Sequence, residues 1–399
     1  MRISTVSIYE QAVSSLNRQQ AAFMQAGEQI ATGRRVVNPS DDPQAAAQAI
    51  GVSQSIGILE QYTESRVTAR NSLSQEESVL ASVSDALASA KSLIVQGVNG
   101  TLSDTDRYSI ATELEGIFQT LLGQANAADG NGRFLFGGFQ DDSAPFVDDG
   151  LGNITYNGDT NERSQRVDAS RLMPVSDNGE RVFSSIQPGA GYIAEAATTN
   201  AGTAVFKGPG IVDATDPLFG TAFTLDFVDV AGEINISING GAPTPYVDGE
   251  SISFGGLSLE LNGTPVAGDS IQVAPADTMN TDIFVTLGKA LDGLRQPLLS
   301  NVDRAGFENA MSTIMRELDN SLDNVLTVRA SVGGRLNELD VIDGVSQNRH
   351  LSYKTNLSAL IDLDYNEAVA EYSLRQVGLQ AAQQAFVDIN GMSLFDFLR

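Results

Sequence analysis

The sequence has no cysteine, no tryptophan and only one histidine, His350. The missing cysteines exclude disulfides, thiol nucleophiles and every metal site built on thiolates. A single histidine excludes zinc and iron centres with two or three histidine ligands, so acid–base chemistry would rest on carboxylates. Aromatic residues make up 7% of the chain, which argues against a large aromatic ligand pocket.

Positive charge is also scarce, because 24 lysine and arginine residues stand against 50 aspartate and glutamate residues, a net charge of −26. A surface this acidic repels phosphate backbones and anionic lipids, so we expect no nucleic-acid partner and no membrane partner. The apolar runs are shorter than the roughly 20 residues of a membrane span, and the first residues lack the apolar core of a secretory signal peptide. These features predict a soluble protein.

Residues 1–129 are rich in alanine, glutamine, serine and leucine, and their apolar residues recur every seven positions. Such a repeat predicts left-handed coiled-coil seams. A third helix is predicted from about Ser103 to Ala128, because Ser103 and Asp106 form a capping-box pattern. The first seam consists of Tyr9, Leu16, Phe23 and Ile30. The second seam has one row of Leu59, Leu73, Leu80, Leu87 and Ile94, broken only by Arg66. Its companion row, three residues on, consists of Tyr62, Ala69, Val83 and Ala90, with Glu76 as the polar exception.

A hinge is predicted between these two seams. Asn38-Pro39 ends a helix, because the residue before proline is pushed out of the α region. Asp42 then caps the next helix, with Pro43 at its first position. Asp41 and Asp42 could also bind a cation as a carboxylate pair, but helix capping alone explains these residue types.

Residues 130–275 replace alanine and leucine with glycine, asparagine, threonine and valine, and short segments alternate apolar and polar residues. Such alternation predicts antiparallel strands with one solvated face. From 184 to 275 the only basic residue is Lys207, against ten acidic residues. The predicted strands are 133–138, 153–158, 223–227, 233–238, 252–254 and 257–261.

Two features of this middle region could bind ligands. Gly130-Asn131-Gly132 and Gly137-Gly138 could cradle a phosphate, but they lack a strand–loop–helix context and a nearby lysine, so turns are favoured. An acidic cluster could hold Ca²⁺, but the EF-hand loop pattern is absent and solvated hairpin loops are favoured. The cluster comprises Asp141, Asp142, Asp148, Asp149, Asn153 and Asp159.

Residues 276–399 return to helical patterning. We expect their first seven-residue row to pack against the second N-terminal seam in a stable bundle. That row consists of Met311, Leu318, Val325, Val332 and Leu339. A second row, near the C-terminus, consists of Val369, Tyr372, Leu379 and Phe386.

The pattern predicts an α+β fold, an elongated molecule whose N- and C-terminal heptad helices share one bundle around a β-rich insert. The terminal stretches are too narrowly apolar to fold alone, and their exposed stripes call for a partner. A membrane surface is the weaker rival, because the seams follow coiled-coil spacing. The expected assembly interface consists of Tyr9, Leu16, Phe23, Ile30, Val369, Tyr372, Leu379, Phe386, Leu394, Phe395, Phe397 and Leu398.

Little in the sequence indicates catalysis. It contains no HExxH, GxSxG, Walker A or CxxC motif, and His350 is interpreted as a solvated helix residue. A glycosidase that works with two carboxylates remains an alternative, although nothing selects the pair. We therefore expect no enzyme, no cofactor and no metal centre.

The order of these blocks resembles bacterial flagellin and its relatives, and the motifs are most similar to the hook-associated members of that family. Flagellin itself usually lacks the Asn-Pro-Ser-Asp-Asp-Pro pattern seen at 38–43. The resemblance covers roughly residues 1–183 and 276–399, and leaves the insert outside. It rests on Met1–Thr5, residues 30–43, the hairpin segments 132–138, 145–146 and 156–159, and the C-terminal segments 373–384 and 393–398.

The resemblance implies a non-enzymatic adaptor that forms a ring of its own copies between the other hook-associated junction protein and the first flagellin subunits. Its terminal segments would be disordered until assembly. The chain would leave the cell through the flagellar type III export apparatus, with help from an export chaperone, and act in the extracellular flagellum. The alternative is flagellin itself, the filament subunit.

Three domains are expected. The terminal coiled-coil segments, disordered in the monomer, are 1–42 and 355–399. The helical bundle with its β-hairpin comprises 43–183 and 276–354. The β-rich outer domain is 184–275.

Overall fold

The structure, a computed structural model, describes residues 5–150 and 152–391. This part of the chain has an α+β fold, with long helices at both ends and strands between them. The helices are α1 Thr5–Thr32, α2 Pro43–Gly97, α3 Asp104–Ala125, α4 Gly179–Phe183, α5 Ile283–Arg295, α6 Asn301–Ile361 and α7 Tyr365–Gly391. A short 3-10 helix spans Ala276–Thr278.

The strands pair antiparallel throughout. Two hairpins, β1–β2 and β3–β4, come first, followed by a five-stranded sheet of order β5-β12-β7-β8-β9 and a three-stranded sheet of order β10-β11-β6. The strands are β1 Phe146–Asp148, β2 Ile154–Tyr156, β3 Ser164–Asp168, β4 Arg171–Pro174, β5 Tyr192–Ala196, β6 Val205–Ile211, β7 Phe223–Val230, β8 Glu233–Ile238, β9 Thr244–Pro245, β10 Ser251–Phe254, β11 Leu257–Asn262 and β12 Ser270–Pro275.

The chain divides into two compact units. The first comprises residues 1–64 and 341–399, which include α1, α7, the start of α2 and the end of α6. The second comprises residues 65–340 and contains the remaining helices and the twelve strands found in the described residues.

The helical core of the second unit is built from the predicted seams of α2 and α6. Leucine and isoleucine at seven-residue spacing on α2 are no more than 1% exposed, and their counterparts on α6 no more than 2%. The predicted third helix is confirmed as α3, and both hydrogen bonds of the Ser103–Asp106 capping box are present. The buried seam residues are Leu73, Leu80, Leu87, Ile94, Met311, Leu318, Val325, Val332 and Leu339.

The two larger sheets share one hydrophobic cluster. Phe206 and Leu259 from the three-stranded sheet join Phe223, Phe227 and Ile271 from the five-stranded sheet, and each is at most 3% exposed. The alternating segments at 223–227, 233–238, 252–254 and 257–261 are confirmed as parts of β7, β8, β10 and β11.

A row of buried polar residues on α6 holds the backbone of the β-rich region. The amide of Asn309 bridges two backbone groups, accepting from the Phe206 N–H at 3.0 Å and donating to the Ala204 carbonyl at 2.9 Å. The Thr313 hydroxyl donates to the Ala194 carbonyl at 2.7 Å. These side chains bond backbone groups that have no partner strand at the sheet edges. An edge of each of the two larger sheets is therefore fixed against α6.

The predicted strand at 133–138 is wrong. The segment forms turns with one isolated bridge, between Ala128 and Phe134. Gly138 has φ +68°, and a methyl group added there would lie 2.7 Å from the Asp159 backbone oxygen. A positive φ and this close approach are incompatible with a regular strand of side-chain-bearing residues. The predicted strand at 153–158 is confirmed as β2.

The expectation that no segment could span a membrane needs correction. In the described part of the chain, α2 is long and apolar enough to cross a membrane by length and composition alone, and 44% of its most apolar stretch is buried within the protein. Leu73, Leu80 and Leu87 of this helix are core residues. Core packing therefore accounts for much of its apolar character.

Candidate functional site: the paired terminal helices

The expected assembly residues lie on α1 and α7, which pack against each other in the first unit. The rings of Tyr9 and Phe386 have centroids 5.6 Å apart, and those of Phe23 and Tyr372 stack at 4.7 Å. Because residue numbers rise along α1 as they fall along α7, the helices run antiparallel. The same register sets Leu16 opposite Leu379.

Small residues let the aromatic rows approach closely. On α7, the inward positions alternate at spacings of four and three residues, as coiled-coil packing requires. Gly27 lies next to the ring of Tyr372, and a methyl group added to the glycine would be 3.5 Å from that ring. Ala26 and Ala368 are each 8% exposed. The inward positions of α7 are Ala368, Tyr372, Arg375, Leu379, Ala382 and Phe386.

Val369 is placed differently from the other predicted residues of α7. Its side chain is 51% exposed, and the neighbouring Ala368 occupies the inward position instead. The structure therefore separates Val369 from the row formed by Tyr372, Leu379 and Phe386. Only the first position of the predicted row is one residue out of phase, since Ala368 rather than Val369 faces α1.

Exposed apolar side chains also lie on the outside of α7. Leu374 is 71% exposed and Val377 is 62% exposed. At 100° per residue, these two side chains point away from the α1-facing row. Val387, 62% exposed, lies on the flank of the same helix. The helix is thus apolar on the side that α1 covers and on a side that α1 leaves open.

Four residues of the expected interface fall outside the described residues. They are Leu394, Phe395, Phe397 and Leu398.

The loop between α1 and α2 is organised by its two aspartates. The Asp41 carboxylate accepts hydrogen bonds from the backbone N–H groups of Val37 (3.2 Å) and Asn38 (2.8 Å). Asp42 accepts from the Ala45 N–H at 3.0 Å, which makes it the N-terminal cap of α2. That hydrogen bond, with the Arg35 guanidinium as the second cause, lowers the pKa of the Asp42 carboxyl. The predicted helix cap is confirmed for Asp42. Asp41 instead holds the backbone of the loop that precedes it.

The loop between α6 and α7 lies beside the first loop. Arg34 and Asp362 form an isolated antiparallel bridge, and the Leu363 N–H donates to the Gly33 carbonyl at 3.1 Å. Arg35 donates through its backbone N–H to the Ile361 carbonyl at 2.8 Å. The loop between α1 and α2 and the loop between α6 and α7 therefore stabilise each other.

The other candidate ligand groups serve local structure. Asp141 pairs with Arg163 at 2.7 Å, and Asp149 accepts hydrogen bonds from the backbone and side chain of Asn153 at 3.1 and 2.8 Å. Within residues 5–150 and 152–391, no three metal-ligating side chains gather in one place. His350 is half-buried, with Nε2 3.6 Å from a Glu60 carboxylate oxygen, rather than fully solvated.

Comparison with known proteins shows which class of protein the chain resembles. A sequence family described as the bacterial flagellin N-terminal helical region matches residues 3–141, which include α1, α2 and the hinge between them. With long helices at both ends and a β-rich middle, the chain has a flagellin-like fold.

The full-length matches are more specific. The chain is 35% identical to flagellar hook-associated protein 3 of Salmonella typhimurium over 100% of both chains, and 34% identical to that of Escherichia coli over 99% of both. The crystal structure of the flagellar junction protein FlgL from Legionella pneumophila matches with a TM-score of 0.69 and 27% identity, over 79% of this chain and 100% of that one. The chain belongs to the flagellar hook-associated protein 3 family, which makes it a structural protein of the bacterial flagellum rather than flagellin itself.

Proposed function

We propose that this chain is the adaptor that joins the hook-side junction to the flagellin filament, and that α1 and α7 fold together as it is incorporated. The observation that carries this proposal is the two-sided apolar character of α7. One side is closed by α1 through Tyr9, Phe23 and their aromatic partners. The other side, with Leu374 and Val377, has no cover among the described residues.

Burial of the open side supplies a driving force for assembly. Burying a leucine or valine side chain contributes roughly 1.5–3 kcal/mol. Leu374 and Val377 are more than 60% exposed, so much of that contribution is still available to a neighbouring subunit. In a ring every copy presents the same face, and the contribution is repeated at each contact.

Ordering of the terminal helices opposes assembly until a partner is present. Fixing one residue costs about 1–2 kcal/mol of conformational entropy, and α1 and α7 together contain 55 residues. A pair of helices that packs along one narrow seam is only marginally stable without further packing. We infer that residues 5–32 and 365–388 are largely unpaired in the free chain, which prevents premature polymerisation.

The partners follow from the adaptor role. They are the other hook-associated junction protein, flagellin, neighbouring copies of this chain and an export chaperone. The names of the relatives, hook-associated protein 3 and flagellar junction protein, support assembly with other flagellar components. We further propose export through the flagellar type III apparatus and no catalytic activity.

The proposed domain division has the assembly segments at 1–42 and 355–399, the bundle with its hairpin at 43–183 and 276–354, and the outer domain at 184–275. The shared hydrophobic cluster of the two larger sheets, which runs from Tyr192 to Val273, supports a separate core for the outer domain.

The first test places a charge on the open face of α7. Val377→Asp should abolish incorporation into the hook–filament junction in cells that lack the native copy, because a carboxylate cannot be buried without a partner. Gln376→Asp adds the same charge at the adjacent exposed position and should retain incorporation. Equal incorporation of both variants would remove the open face from the proposal.

A further inference from the structure

Arg35 connects three helices at the paired loops of the first unit. Its Nη2 donates to the Leu360 carbonyl at 2.7 Å, and its backbone N–H donates to the Ile361 carbonyl. Its Nη1 lies 3.2 Å from Oδ2 of Asp42, the cap of α2. Its own carbonyl accepts from the Gln29 side chain of α1 at 2.7 Å.

These contacts satisfy groups that helices cannot satisfy internally. The last four carbonyls of a helix lack partners within it and carry partial negative charge. Leu360 and Ile361 are the last two residues of α6. The guanidinium therefore neutralises the end of α6 while it pairs with the carboxylate at the start of α2.

The position of Arg35 depends on α1. Gln29 on α1 holds the Arg35 carbonyl, and Gly33 forms the turn between them with φ +69°, a conformation that favours glycine. If α1 unfolds, these restraints on Arg35 are lost, and α6 loses the cap that precedes α7.

We propose that Arg35 is a latch that makes the pairing of α7 conditional on the folding of α1. The inference deepens the proposed function, since it explains how two segments more than 300 residues apart order as one unit. A latch of this kind allows neither terminal helix to offer its apolar face alone. Premature association through a single helix is thereby suppressed.

The adjacent Arg34 provides a matched control. It carries the same charge, and its backbone makes the bridge to Asp362. Among the described residues, its side chain makes no hydrogen bond or ion pair. Arg34→Ala and Arg35→Ala therefore remove the same charge from neighbouring positions, but only the second removes the contacts to α6 and α2.

The experiment uses the full-length chain and the absence of native cysteine. Gln19→Cys with Gly378→Cys places one thiol on each terminal helix, at positions that face each other across the seam. The rate of crosslinking by a short bis-maleimide then reports the fraction of molecules in which α1 and α7 are paired.

Arg35→Ala in this background should slow crosslinking about tenfold or more, the factor expected from loss of about one charge-assisted hydrogen bond. Arg35→Lys, which keeps the charge but not the planar fork, should give an intermediate rate. Arg34→Ala should leave the rate unchanged. Circular dichroism checks that the second unit is folded in every variant.

Equal rates for Arg34→Ala and Arg35→Ala, with the second unit folded, would overturn the latch. That outcome leaves the adaptor proposal standing, because the crosslink is measured on the free chain. Failure of the unaltered chain to locate at the hook–filament junction would instead refute the adaptor proposal.

Discussion

Glu76 is a charged residue inside the helical core of the second unit, with 2% of its surface exposed. One carboxylate oxygen accepts from the Asp177 N–H at 2.9 Å, and the other has no hydrogen-bond partner. Asp177 is itself 1% exposed and pairs with Arg335 and with Arg181, the latter at 3.0 Å. Burial, and after it the charge of Asp177, raise the pKa of Glu76 well above its ordinary value.

The raised pKa predicts a stability that falls with pH. The folded chain holds the Glu76 proton to a higher pH than the unfolded chain, whose carboxyl ionises near its ordinary value of 4.5. The contribution of Glu76 to the free energy of unfolding therefore declines above that pH until the folded pKa is passed. Glu76→Gln mimics the protonated form. In this window its free energy of unfolding, relative to that of the unaltered chain, should rise by about 1.4 kcal/mol per pH unit.

Urea denaturation at several pH values measures the effect. Glu77→Gln is the control, because Glu77 is partly exposed and paired with Arg329 at 2.8 Å on the helix surface. Its stability difference should be within about 1 kcal/mol and vary little over the same window. A Glu76→Gln difference that stays constant with pH would show that Glu76 is ionised in the folded chain.

The sequence identified Glu76 and Arg66 as exceptions in a heptad row but not their partners. Asp177 lies 101 residues further on, and the Arg66 guanidinium reaches the Val167 carbonyl at 3.0 Å across a similar separation. Local spacing carries no information on such contacts, since they depend on how a hairpin docks on a helix. Arg35 escaped prediction for the same reason.

At the scale of the elements, the seven-residue repeats predicted the long helices well. The rows on α2 and α6 are core, and the aromatic row of α1 does meet α7. A seven-residue repeat follows from helix geometry, so it predicts a helix whatever that helix packs against. At Val369 the predicted row is one residue out of phase, because Ala368 faces α1. The place of Val369 in the assembly interface stays a prediction.

Strands were predicted where one face of the strand is solvated, so that apolar and polar residues alternate regularly. β5 and β6 were missed, because buried strands and glycine–proline segments such as Gly208-Pro209 do not alternate. β12 was missed although its residues Ser270 to Val273 do alternate. The turn at 133–138 looked like a strand because its phenylalanines alternate, whereas its glycines adopt conformations that only the folded structure reveals.

Hydrogen exchange on the free, full-length chain tests assembly-coupled ordering at this scale. Backbone amides of α2 between residues 66 and 97 should be protected, since the seam leucines are buried. Residues 5–32 and 365–388 should exchange within seconds and become protected only in assembled material. Strong protection of both terminal segments in a verified monomer would contradict coupled folding.

For the whole molecule, the net charge and the divided fold suit an adaptor. The net charge of −26 keeps copies apart in solution through mutual repulsion. The β-rich segment at 184–275 contributes ten of the acidic residues and one basic residue, so its solvation is strong. We expect association to come from the apolar terminal helices instead.

Immunogold labelling of whole cells with antibody against residues 184–275 tests whether the chain lies at the hook–filament junction. The adaptor account predicts a single band of label where the hook meets the filament. Label along the entire filament would contradict it and identify the chain as a filament subunit. With antigen access confirmed on detached flagella, absence of label from the appendage would equally contradict the proposed location.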